Sequence, residues 1–132
     1  MAQMAAFAAG AAATAVAFYL YKHTKPSGFL AKLAEADAAL GAANVLSPEA
    51  AKELIGLPDT LLLDVQDPGS DMLKGSHSAS LGTLPFKAST DLADFKDPVI
   101  ADRAKDKLII VNCGLGGQAK LGAKLLLDYV RS

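Results

Sequence analysis

The chain has 132 residues, enough for one domain, and its 13 basic and 14 acidic side chains leave a net charge of −1. No basic stripe stands out, which argues against nucleic acid as a partner. A single cysteine excludes an internal disulfide, and two distant histidines without a second thiol argue against a structural metal site. No cofactor is expected.

The first 21 residues carry no charged side chain, and ten of them are alanine. A helix from Met4 to Tyr21 would be about 27 Å long, which is just enough to cross a bilayer. Tyr19 and Lys22 suit the interface and the basic flank of such a helix. A cleaved signal peptide is the alternative, but it would need a basic start and a better cleavage site. The sequence therefore predicts a transmembrane anchor with a basic flank over residues 1–26.

One face of this predicted span carries only small side chains, those of Ala6, Gly10, Ala13 and Ala17. A small-residue face lets another helix approach closely, so other transmembrane subunits are expected partners. A plain alanine-rich anchor is an equally good interpretation of the same composition.

The basic residues that follow the span set its expected orientation. Lys22, His23, Lys25 and Lys32 come after it, and no charged side chain precedes it. By the positive-inside rule, the rest of the chain should face the side that retains positive charge. The sequence predicts a single-pass protein of an organellar inner membrane or a thylakoid, with its domain in the mitochondrial matrix or the plastid stroma.

Two helices and a short strand are predicted next. Residues 24–28 form a hinge, and a connecting helix over Phe29–Leu40 ends at Gly41, so that residues 27–43 link the anchor to the domain. Asn44–Leu46 is predicted to be a strand. Ser47 and the proline after it begin a helix that ends at Gly56.

Two short apolar runs predict buried strands, Leu61–Val65 and Leu108–Val111. Between them His77 is predicted to lie in a loop, and Asp91–Lys107, which mixes both charge signs, to be a solvated helix and loop. A helix with regular apolar spacing is predicted over Lys120–Tyr129.

The only cysteine, Cys113, lies where the second predicted strand ends and a glycine-rich loop leads into a helix. Such a loop turns backbone N–H groups inward, and a helix N-terminus adds positive potential. A thiol there should form its thiolate readily and attract anions. The alternative is a small buried hydrophobic side chain. Phosphatases of the Cys-x5-Arg type need arginine six positions after the cysteine, where this chain has Ala119, so that activity is excluded.

Three segments resemble, in order and spacing, the rhodanese-like domains, a family of sulfurtransferases. They are Asn44–Glu49, Leu61–Pro68 and Cys113–Ala119. The resemblance implies an α/β fold, with a small parallel-sheet domain over residues 44–132. Members of the family continue into one more strand and helix, so the domain is expected to be incomplete at its C-terminus. A strand edge would then stay open unless the first strand shifts across, a partner covers it or the sequence is shortened.

The resemblance also implies sulfane-sulfur transfer through a persulfide on Cys113, with a donor such as thiosulfate. The loop backbone would form an anion cradle, and two side chains would support it. The implied cradle residues are Gly114, Leu115, Gly116, Gly117 and Gln118, and the supporting residues are Asp64 and Lys120.

Glutamine replaces two cations that many active members of the family carry, at Gln66 and Gln118. Glutamine donates hydrogen bonds but cannot balance an anion. Two functions therefore stay open. One is a membrane-anchored sulfurtransferase. The other is a non-catalytic rhodanese-like accessory subunit of a large respiratory or photosynthetic membrane complex.

Overall fold

The computed structural model describes residues 28–129. Residues 35–129 belong to one compact unit, whereas residues 28–34 belong to another. The predicted anchor, its small-residue face, its basic flank up to Lys25 and most of the predicted hinge lie outside the described residues. Within residues 28–129, no helix is both long enough and apolar enough to cross a membrane.

The described residues form five α-helices, one 3-10 turn and three strands. In chain order they are α1 (Phe29–Leu40), the 3-10 turn (Ala42–Asn44), α2 (Pro48–Ile55), β1 (Leu61–Asp64), β2 (His77–Ser78), α3 (Leu84–Ala88), α4 (Pro98–Ala101), β3 (Ile109–Asn112) and α5 (Gly117–Tyr129).

The strands form one parallel sheet with the order β2-β1-β3. Leu63 of β1 lies opposite His77, and Leu61 lies opposite Ile109. Residues 65–76 connect β1 to β2 without a helix, whereas α3 and α4 lie between β2 and β3. Both connections are long enough for the crossover that parallel pairing requires. The structure thus confirms the predicted α/β class with a small parallel sheet.

The core lies on one face of this sheet. Its fully or almost fully buried members are Leu63, Val65, Ala79, Leu84, Ala88, Ile100 and Leu126. Ile109 and Val111 of β3 pack against this cluster from the sheet. Residues Leu62 and Ile110 alternate with those core positions and are also buried, so both faces of the two longer strands are covered.

Gly122 sets how closely α5 packs on the sheet. A Cβ atom at this position would lie 3.2 Å from Val65 Cγ1 and 3.5 Å from Val111 Cγ1. The missing side chain therefore lets the helix backbone approach β1 and β3 closely.

The first two helices begin and end where the sequence predicts. α1 ends at Leu40, and Gly41 follows with a φ of 77°, a left-handed conformation that suits glycine. Ser47 Oγ caps α2 by accepting a hydrogen bond of 3.2 Å from Ala50 N, and Gly56 ends the helix.

The predicted strand over Asn44–Leu46 is wrong. Asn44 ends the 3-10 turn, where its backbone N–H donates to Gly41 O and its side-chain Nδ2 donates to Leu40 O. These local hydrogen bonds take the backbone and side-chain groups of Asn44 away from strand pairing. Val45 is extended but does not pair with the sheet among the described residues.

The interpretation of His77 as a loop residue is also wrong, since it belongs to β2 and pairs with Leu63. Its Nε2 lies 2.5 Å from Asp97 Oδ2. β2 has two residues in a serine-rich stretch, too short to show an alternating pattern, so its pairing is decided by the neighbouring strand.

The segment Asp91–Lys107 is not simply solvated. Asp97 caps α4 by accepting from Val99 N at 3.0 Å, and this short helix inserts Ile100, which is fully buried, into the core. The position of α4 is decided by its two buried apolar residues, Ile100 and Ala101. The charged residues on both sides of them give the segment a polar composition, so the sequence does not show that it is buried.

Candidate active site at the end of β3

The sheet brings the ends of β1 and β3 together. Asp64 lies opposite Asn112, and both strands run in the same direction. The residues that follow them, Gln66 and Cys113, therefore emerge at the same edge, where parallel sheets most often bind ligands.

The sulfur of Cys113 is partly buried and accepts two backbone hydrogen bonds. Gly116 N donates to Sγ at 3.0 Å, and Ala119 N donates to it at 3.2 Å. Donors from the loop and from the first turn of α5 therefore converge on one sulfur atom. The segment between β3 and α5, residues 113–116, is called the cysteine loop below.

Gly116 gives this loop its shape, because its φ of 89° is a conformation that other residues adopt only with strain. It places its own N–H on the sulfur, and its carbonyl accepts the first hydrogen bond of α5, from Lys120 N at 3.0 Å. The N–H groups of Gly117 and Gln118 precede that bond and have no partner within the helix.

The predicted cradle and the observed hydrogen bonds overlap at one residue. Gly116 belongs to both, whereas the second donor, Ala119, lies outside the cradle that the sequence predicts. Gly114 is in the loop without a positive φ, Leu115 is fully exposed at its tip, and Gly117 and Gln118 begin α5. Their roles as an anion cradle stay predictions.

Asp64 and Gln66 form a second polar group beside the cysteine loop. Asp64 is almost fully buried, and its two oxygens accept from Gln66 N at 2.8 Å and Gln66 Nε2 at 3.1 Å. Gln66 Nε2 also donates to Asp71 O at 3.0 Å. Its Oε1 lies 3.4 Å from the position that a Cβ atom of Gly114 would occupy. Gln66 therefore links the end of β1, the following turn and the cysteine loop.

The sequence indicates a supporting role for Asp64, whereas Gln66 stands out in it only as the replacement of a cation. The signal that could have found its role is the spacing, since an aspartate side chain commonly binds the backbone N–H two residues later.

Lys120, the other predicted supporting residue, is held in an ion pair. Its Nζ lies 2.8 Å from Asp37 Oδ1 on α1, and this contact ties α5 to the second half of that helix. The neighbouring Lys124 pairs with Asp128 at 3.0 Å. The carboxylate of Asp37 balances the charge of Lys120, which weakens Lys120 as a partner for an anionic substrate.

A cleft of about 1440 Å³ begins at the cysteine loop and continues along β3, between α2 on one side and α5 on the other. Cys113, Gly116 and Lys120 line it near the loop. We call it the β3 cleft. No cluster of side chains suited to a metal ion occurs within residues 28–129.

Comparison of the chain with protein-family models, curated proteins and solved structures finds no match.

Proposed function

We propose that this protein transfers sulfane sulfur through a persulfide on Cys113, as the resemblance to rhodanese-like domains implies. The observation that carries the proposal is the pair of backbone N–H groups, from Gly116 and Ala119, that donate to Sγ. A buried structural cysteine has no need of two such donors, whereas a nucleophilic thiolate is stabilised by them.

The first half-reaction that we propose uses thiosulfate or a related donor. The Cys113 thiolate attacks the outer sulfur of thiosulfate, the S–S bond of the donor breaks, and sulfite leaves with the electron pair of that bond. The product is a persulfide on Cys113. No oxidant or reductant is consumed, since the sulfane sulfur passes from one sulfur atom to another.

Two features would assist this step. The persulfide is negatively charged, and the N–H groups of Gly117 and Gln118 at the start of α5 are available to an anion. Gln66, held by Asp64, offers a neutral polar side chain beside Gly114. Neither Gln66 nor Gln118 supplies positive charge, so we expect slow turnover.

The test is direct loading of the full chain in mild detergent. After incubation with thiosulfate, intact-mass measurement should show the gain of one sulfur atom, and cyanide should remove it as thiocyanate. Cys113→Ser should abolish both signals. Gln118→Arg should raise the rate by supplying the missing cation. Absence of loading in the natural chain and in Gln118→Arg, with several donors, would contradict the proposal.

A second candidate function is that of a non-catalytic accessory subunit in a membrane complex. It is favoured by one observation, the ion pair of Lys120 with Asp37, which engages the nearest cation while residues 113–119 carry no charged side chain. Failure of sulfur loading together with co-migration in a complex on native gels would support this candidate. We also propose the membrane anchor and the matrix or stromal location, which the sequence alone predicts.

A further inference from the structure

The outer edge of β3 presents backbone groups that are not paired within residues 28–129. Leu108 O and Asn112 O accept hydrogen bonds from Leu61 N and Val65 N, so these even-numbered positions face β1. Alternate residues of a strand direct their backbone groups to opposite sides, and Ile109 and Val111 therefore face away from β1. β3 has β1 as its only strand neighbour in the described part of the chain. Such an edge is a template for another strand.

This edge opens into the β3 cleft, and both walls of the cleft are apolar. Val45 and Ile55 line it on the α2 side, and Ala123 and Leu127 line it on the α5 side. A strand added beside β3 would direct alternate side chains toward these two walls. The volume of about 1440 Å³ exceeds the range of roughly 300–1,000 Å³ typical of small-molecule sites, which favours a polypeptide.

The rim of the cleft indicates the chemistry of its occupant. Leu115, Met72 and Leu73 line it and are exposed, an arrangement typical of protein contacts. Lys52 and Lys74 also line it, and neither forms an ion pair with another described residue. These two cations outnumber the one lining carboxylate, Asp71. The rim is therefore complementary to an acidic segment.

We propose that the β3 cleft docks an extended, acidic segment of a partner polypeptide as an added strand along β3, and that this segment carries the cysteine that receives sulfur from Cys113. The docking stands on the free edge and the cleft, whereas the acceptor role rests on the proposed sulfur transfer. Both meet at the carboxyl end of β3, where the cleft reaches Cys113.

The transfer step is balanced. The partner's thiolate attacks the outer sulfur of the Cys113 persulfide and forms a new S–S bond. The S–S bond to Cys113 breaks, and Cys113 leaves as a thiolate. The proton of the persulfide, where present, stays on the transferred sulfur, and no further reactant is needed.

The experiment uses the full chain in mild detergent and two synthetic peptides, Asp-Asp-Val-Ile-Val-Thr-Cys and the reverse sequence. We expect at least one of them to slow amide hydrogen exchange at Ile109 and Val111. Exchange at Ile110 and Asn112, whose N–H groups already face β1, should not change. A control peptide with proline in place of isoleucine lacks a central N–H and should bind more weakly.

Two kinds of variant test the same contact from the protein side. Ile109→Pro removes an N–H that faces the cleft and keeps the hydrogen bonds to β1, as proline at a strand edge can. Loss of that donor should weaken peptide binding about tenfold, which corresponds to the usual contribution of one hydrogen bond. Lys52→Glu combined with Lys74→Glu should also weaken binding without touching the core. Lys87→Glu, which lies outside the cleft, is the matched control and should leave binding unchanged.

Several outcomes would overturn the proposal. Protection of Ile109 and Val111 in the chain alone would mean that another part of the chain covers the edge, and protection that depends on protein concentration would mean a second copy does. Equal binding of the proline peptide would exclude the added strand, and equal binding by the double lysine variant would exclude an acidic segment as the occupant. Cys113→Ser separates the two proposals: if this variant still binds the peptide while the natural chain fails to load sulfur, docking stands and the proposed function fails.

Discussion

Gly116 is the residue on which the hydrogen bonds to the Cys113 sulfur depend most directly. Its φ of 89° turns its N–H toward Sγ, and a side chain there strains the backbone by roughly 1–2 kcal/mol. We expect Gly116→Ala to relax the loop and to slow alkylation of Cys113 by iodoacetamide at neutral pH.

Gly114→Ala is the matched control for this experiment. Gly114 has no positive φ, and an added Cβ atom would meet Gln66 Oε1 at 3.4 Å, which is an ordinary contact. In the Gly114→Ala variant, the rate at which Cys113 is alkylated should stay close to that in the natural chain. Equal rates in both variants and the natural chain would show that the Gly116 conformation does not control the sulfur.

Asp64 stabilises the end of β1 through its two hydrogen bonds to Gln66. Asp64→Ala removes both acceptors in a buried environment and leaves two donors without their partner. The expected loss in the free energy of unfolding is about 1–3 kcal/mol, measured by urea denaturation. Asp67→Ala changes an exposed carboxylate three residues later and should cost much less. Similar losses for the two variants would contradict the role given to Asp64.

At the residue scale, the position of Cys113 could be predicted because it depends on a local pattern, an apolar run followed by glycines. The donor from Ala119 could not, since it depends on how the first turn of α5 lies over the sulfur. The ion pair of Lys120 with Asp37 joins residues far apart in sequence, and nothing local indicates it.

The elements that could be predicted are those with strong local signals. α1 and α2 have glycine ends and a serine cap, and β1 and β3 are apolar runs, predicted to within one residue at each end. β2, α3 and α4 have between two and five residues, and contacts with the rest of the chain decide them. The predicted strand that begins at Asn44 is wrong for the opposite reason. Local hydrogen bonds of a turn, such as that from Asn44 Nδ2 to Leu40 O, hold this residue outside the sheet.

The packing of α5 on the sheet requires glycine at position 122. A Cβ atom there would lie 3.2 Å from Val65 Cγ1, and the longer side chain of leucine has no space on that face. Gly122→Leu should destabilise the fold by about 1–3 kcal/mol through overpacking, which exceeds the gain of roughly 0.5–1 kcal/mol from replacing a helical glycine. The melting temperature measured by circular dichroism checks this.

Ala123→Leu is the matched control. Ala123 follows Gly122 in α5 but lines the open β3 cleft. Its added side chain has space, so the melting temperature should change little. The same variant narrows the cleft and should weaken binding of the peptide probes. A larger destabilisation for Ala123→Leu than for Gly122→Leu would contradict the packing described here.

On the scale of the whole molecule, the thiol of Cys113 and the outer edge of β3 lie at adjoining parts of one cleft. β3 links them, since its outer backbone groups are unpaired within residues 28–129 and Cys113 follows directly after its end. A partner that pairs with β3 is thereby brought to the sulfur.

The last prediction concerns the predicted anchor, which rests on sequence alone. We expect the full chain to sediment with membranes and to migrate in a larger assembly on native gels in mild detergent. The small side chains of Ala6, Gly10, Ala13 and Ala17 suit close packing with another helix.

Replacing Gly10 and Ala13 together by leucine makes the span more lipid-soluble and roughens that face. The double variant should therefore stay in the membrane fraction and leave the assembly. Phe7→Leu, which lies off the small face, should leave both properties unchanged. Co-migration of the double variant with the assembly would exclude packing through this face, and migration of the natural chain as a monomer would exclude the accessory-subunit function.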